Sequence, residues 1–228
     1  MHDPMWIRSL LGLHIAAGVT AFVMAPVALA TAKGGRAHRL WGKVYFWAMA
    51  VVAASAIVLA AWRPVLFLAL VAIFSFYASF TAYRVLYHKD LPHGGKVQIL
   101  DWAAALFTFA SSLALALLGV FRPAMINGLR VPAILFGVIG MSIAAGSVRS
   151  FLWPPKEKMF WWFAHLQGML ASYIAAWTAF SVVTLSHFVH GWWVWVLPTA
   201  IGSPAIAMTS AYYKKKFAPR TSAVGEAS

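Results

Sequence analysis

Cysteine is absent from the 228 residues, so neither a disulfide framework nor a thiolate metal site can form. Acids are scarce as well: five Asp and Glu stand against eighteen Lys and Arg, and charged residues make up only 10% of the chain. A soluble domain needs a charged shell, and here that shell would have to cover a chain that is 62% hydrophobic, with mean hydropathy +0.78. Lipid is therefore the expected solvent.

Runs free of Asp, Glu, Lys and Arg extend over Ser9–Ala32, Val44–Trp62, Pro64–Tyr83, Trp102–Phe121 and Val131–Val148. Each is close to the ~20 residues that cross a bilayer core. A sixth run, Met159–Tyr213, suits two spans, with a turn expected in SHFVHGWW, Ser186–Trp193. The count is seven. Small residues at Ala28-Leu29-Ala30 imitate a signal-peptide cleavage site, but the apolar run is too long and four cations follow it, so the first span is expected to stay uncleaved.

A net charge of +13 would suggest nucleic acid in a soluble protein; its distribution argues against that here. Seven spans place fourteen of the eighteen cations, from Lys33 through Lys214, Lys215, Lys216 and Arg220, on one side, and only Arg8, Arg63, Arg122 and Arg130 on the other. By the positive-inside rule the N-terminus lies outside and the C-terminus in the cytoplasm, with anionic lipid headgroups as natural partners. The expected architecture is an all-α, polytopic bundle of seven transmembrane helices in a bacterial-type inner membrane. It occupies residues 1–213, with a basic, disordered tail over 214–228.

Polar residues recur at helical spacing inside these spans. Span two, Ala37–Trp62, carries His38, Gly42, Tyr45 and Met49 on one face, and span six, Phe160–Leu185, carries His165, Gly168 and Ser172. Span three aligns Tyr77, Thr81, Arg84 and His88, and span four opens with Asp101, the one carboxylate at the edge of a span. Pro26 is expected to kink span one, and Pro198 and Pro204 to interrupt span seven. Intramembrane ionisable groups are costly and so suggest function.

Several chemistries compete for these residues. Histidines on different helices at matching depth suit b-type haem or a quinone, with His14, His38 and His165 as the candidates for a membrane redox protein. His14, His187 and His190 form a possible outer metal site of three ligands, which would suit a metalloenzyme. Tyr45, Arg84, Asp101 and Arg149 form a possible cytoplasm-facing pocket for an anionic or lipid ligand, as in a transporter. A purely structural role, with Asp101 paired to a neighbouring base, competes with each. An accessory subunit bound to a larger membrane complex fits the same apolar surfaces.

One stretch also carries a resemblance. LHIAAGVTAFVMAPVALATAKGGRAHRLWGKVYFWAM, Leu13 to Met49, has a histidine in an early helix followed by an HR-x-x-G-[RK]-V-Y pattern at His38, Arg39, Gly42, Lys43, Val44 and Tyr45. It resembles the opening of a family of bacterial multi-span membrane proteins classed as a domain of unknown function. The likeness covers about a sixth of the chain, and the later histidine followed by Trp-Met has no counterpart at His93. It implies a multi-span membrane protein and no particular reaction.

Overall fold

The computed structural model describes residues 3–63, 65–157, 159–185, 188 and 190–218. Among them the regular structure is entirely helical. The seven long helices are α1 Met5–Ala30, α2 Arg36–Trp62, α3 Leu66–Arg84, α4 Ile99–Phe121, α5 Arg130–Leu152, α6 Phe160–Leu185 and α7 Trp193–Phe217. All seven are long and apolar enough to cross a membrane, as befits a multi-pass membrane protein. Each of α1 to α5 contains most of a charge-free run, and α6 and α7 share the sixth, since a helix satisfies every backbone group within itself as an apolar environment demands. Helix α2 begins eight residues earlier than its run and takes in Arg36, Arg39 and Lys43.

Local chemistry sets the ends. Gly34 adopts φ +74° in the turn between α1 and α2, a conformation open to glycine at little cost. At the start of α4, the Gln98 and Asp101 side chains form a reciprocal capping box with each other's backbone N–H. Helix α5 stops before Trp153-Pro154-Pro155. The expected interruption of the last span does not occur: α7 runs on through Pro198 and Pro204, as α1 does through Pro26. Each proline removes one backbone donor, and the remaining ladder keeps the helix continuous. Helix α7 also includes Lys214–Phe217, so the expected boundary at Tyr213 moves to the end of the lysine run. The rest of the expected tail, residues 219–228, lies outside the described residues.

Helix α3 is the hub, touching α2, α4, α5 and α6, while α1 packs on α2 and α6, and α7 on α6 and α5. Phe67, Leu70 and Phe74 of α3 meet Leu115 of α4 and Phe136 of α5 in one core cluster. Close approach replaces apolar transfer as the organising force where the surroundings are themselves apolar. A Cβ on Gly137 would lie 2.7 Å from the Ser112 carbonyl oxygen, so glycine is what lets α5 press against α4. Many large apolar side chains remain exposed, among them Leu13, Ile15, Val19, Trp47, Phe107 and Val183. At the far end from the lysines, Arg63 pairs with Asp3 and joins the start of α1 to the end of α2.

Candidate functional site

Helices α1, α2, α3 and α6 form a four-helix ring, each touching the next, with α2 diagonal to α6 and α1 diagonal to α3. Its middle is filled by Ala21 and Ala25 of α1 and by Tyr45, Ala48 and Met49 of α2, backed by Phe76, Met169, Tyr173 and Ala176. Small residues on α1 and Gly168 on α6 draw the ring together. A Cβ on Gly168 would come within 2.7 Å of the Ala82 Cβ on α3.

Two polar layers cross this ring at the end that carries the basic loops. In the first, His38 of α2 and His165 of α6 face each other with ring centroids 6.2 Å apart and ring planes at 75°. In the second, two turns along, the Tyr45 hydroxyl and the Ser172 hydroxyl are 2.6 Å apart, both fully enclosed. The registers match: Tyr45 follows His38 by seven residues, and Ser172 follows His165 by seven. Seven residues are nearly two helical turns, so each pair shares one face of its helix.

Each histidine is tethered to the other diagonal. His38 Nδ1 lies 3.0 Å from the Ala28 carbonyl oxygen on α1, and His165 Nδ1 lies 2.9 Å from the Ala82 carbonyl oxygen on α3. A carbonyl accepts only, so both Nδ1 atoms carry the proton and donate it. That fixes the Nε2 atom of each as the nitrogen with the free lone pair in the neutral ring, the arrangement a metal-ligating imidazole uses. Among the described residues neither Nε2 has a hydrogen-bond partner. A Cβ on Gly42, one turn along from His38, would meet nothing within 4 Å, so there is space beside this layer.

A second polar cluster lies where α3 meets α4. Arg84 donates through Nε and Nη2 to the two Asp101 carboxylate oxygens at 2.7 Å each, and through Nη2 to the Gln98 side-chain oxygen at 2.7 Å. His88 Nε2 lies 3.0 Å from the same carboxylate, which is only 4% exposed. Every acceptor of Asp101 is thus engaged by a cation, a histidine or the cap of α4. The cluster is closed on itself.

The sequence-predicted residues therefore divide. His38 and His165 are brought together. His14 is not: fourteen residues from Ala28 along α1 place it roughly 21 Å away, where its Nδ1 lies 2.8 Å from the Ser55 hydroxyl of α2. Of the expected pocket, Arg84 and Asp101 pair, Tyr45 belongs to the histidine ring instead, and Arg149 is exposed at the end of α5. His190 is exposed and His187 lies outside the described residues; among the described residues no group of three metal-ligating side chains occurs. Sequence reasoning missed the Tyr45–Ser172 contact, the role of His88, and Ser55. The shared seven-residue spacing in α2 and α6 was the available signal for the first.

No protein-family model, curated protein or solved structure matches this chain, so its function has to be read from its own residues.

Proposed function

We propose that this chain is a redox protein of the bacterial inner membrane that holds a b-type haem between His38 and His165. The observation that supports the reading is the pair of imidazoles tethered at Nδ1 with both Nε2 atoms free, 6.2 Å apart between ring centres. Bundle cores are common cofactor sites, with ligands drawn from facing helices. His38 and His165 would hold the haem through their Nε2 atoms, and the haem would supply one-electron chemistry. Arg36 and Lys43, exposed on the same end of α2, suit the propionates of such a group. His14, in this reading, is a packing residue bonded to Ser55.

The topology belongs to the same proposal. Lys33 through Lys43, Arg84 through Lys96 and the lysines closing α7 lie at one end of the bundle, which supports a cytoplasmic placement of that end and an external N-terminus. The test is a reduced-minus-oxidised absorption spectrum of the detergent-purified chain, expressed with ample haem supply. A Soret and α-band pair near one haem per chain is expected. A featureless spectrum would overturn the reading.

A further inference from the structure

On the side of α3 away from the histidine pair, a cleft of about 470 Å³ runs between α3, α4, α5, α6 and α7. That volume falls within the range of small-molecule sites. Arg84, His88 and Asp101 line its cytoplasmic end, and Ser147 and Ser150 of α5 with Gln167 of α6 line its length. We propose that this cleft binds a membrane quinone, an uncharged amphiphile with a carbonyl- or hydroxyl-bearing head.

Charge decides the class of head. The Arg84 guanidinium already makes two bonds of 2.7 Å to Asp101, so an anionic ligand would meet an ion pair rather than a free cation. Arg149, the other cation expected here, does not line the cleft. What the wall offers is neutral hydrogen bonding. Ser147 and Ser150 donate to the Ile143 and Gly146 carbonyl oxygens of their own helix; the Ser150 oxygen keeps its capacity to accept, and the Ser147 oxygen, 3.5 Å from the Thr81 hydroxyl, keeps one lone pair. Gln167 donates to the Ser210 hydroxyl at 3.1 Å and keeps its carbonyl oxygen and a second N–H. The buried Tyr77 hydroxyl, which makes no hydrogen bond within 3.5 Å among the described residues, lies one turn from Thr81 on the same side of α3. A head that presents carbonyls when oxidised and hydroxyls when reduced needs a wall with both donors and acceptors.

The tail is accommodated by the other end. Ser142, Ser203 and Ile206 line the cleft near the middle of α5 and α7, and Ser142 and Gly146 are exposed there, which gives lateral access from the apolar surroundings. The site deepens the redox reading by naming its lipid-soluble partner, and it lies next to the haem site: Ala82, which anchors His165, follows the cleft residue Thr81 on α3 and precedes Arg84 by two residues.

Gly146 makes the test specific. A Cβ there would meet nothing within 4 Å, so Gly146→Leu starts its side chain in open space at the wall of the cleft. Calorimetric titration of the purified full chain with a decyl-tailed benzoquinone, with decyl phosphate as the anionic control, measures the preference. Saturable binding of the quinone is expected, weakened about tenfold or more in Gly146→Leu and for decyl phosphate. The unfolding midpoint of that variant should stay within about 3 °C of the parent. Should it fail to fold, Ser142→Leu at the exposed mouth serves the same purpose. Equal or tighter phosphate binding, quinone binding unchanged by the filled cleft, or no saturable binding would each overturn the site. Titration needs no haem: quinone binding by a colourless protein would sink the haem reading alone, and a haem spectrum without quinone binding would sink the cleft alone.

Discussion

Two polar clusters lie at the same end of the bundle, and they differ in how far their hydrogen bonds are used up. Around Asp101, a bidentate arginine, a histidine and the cap of α4 converge on one buried carboxylate. Around His38 and His165, each ring makes a single bond to a backbone carbonyl and keeps its second nitrogen unbound. A saturated cluster clamps helices together, since a buried charge is tolerated only when paired. An unsaturated pair of neutral rings is poised for something the chain itself does not supply. The lesson is that an ionisable residue in an apolar helix points to a ligand only after its partners within the fold have been counted.

Breaking the unsaturated pair should give the largest spectral effect and the smaller structural one. His38→Ala or His165→Ala is expected to remove nearly all of the haem absorption, while the thermal unfolding of haem-free protein moves little, because each ring holds only one hydrogen bond. Retained absorption in both variants would show that these rings are not the ligands. The saturated cluster should behave in the opposite way. Arg84→Leu leaves a carboxylate that is 4% exposed with only His88 and the Gln98 backbone N–H as partners, and a loss of about 3–5 kcal/mol is expected in reversible unfolding. Haem content per folded molecule should hold. A loss under about 1 kcal/mol would mean that the clamp is ornamental.

The second layer of the ring sharpens the comparison. Tyr45→Phe leaves the Ser172 hydroxyl buried without its partner, at an expected cost of about 1–3 kcal/mol. Adding Ser172→Ala should restore part of that loss, since replacing both partners is nearly neutral. Additive losses would show that the two hydroxyls do not act on each other. The smallest effect is reserved for the outer histidine. His14→Ala removes one hydrogen bond to Ser55, about 0.6 kcal/mol between helices in lipid, with no change in the spectrum. A spectral change there would bring His14 back as a ligand.

Helix positions were legible in the chain because an apolar surrounding leaves the backbone no other way to satisfy its groups. The charge-free runs therefore mark the helices to within a few residues at most ends, although α2 begins eight residues before its run and α6 and α7 share one. The pairing of Asp101 with a base was also legible, because an acid at that depth needs one. Sequence gave each polar stripe separately, His38 with Tyr45 and His165 with Ser172. Nothing in a linear pattern says that α2 and α6 lie diagonal to one another, or that α3 stands at the hub between them. Lipid-facing and partner-facing apolar surfaces have the same composition, so helix order around the ring is decided by shape, by contacts such as Gly168 on Ala82 and Gly137 on Ser112. That close packing separates His14 from the other histidines, leaves Arg149 outside, and closes Asp101 into a clamp. It brings two imidazoles with free nitrogens to 6.2 Å of each other, edge-on, which the order of residues alone could not do.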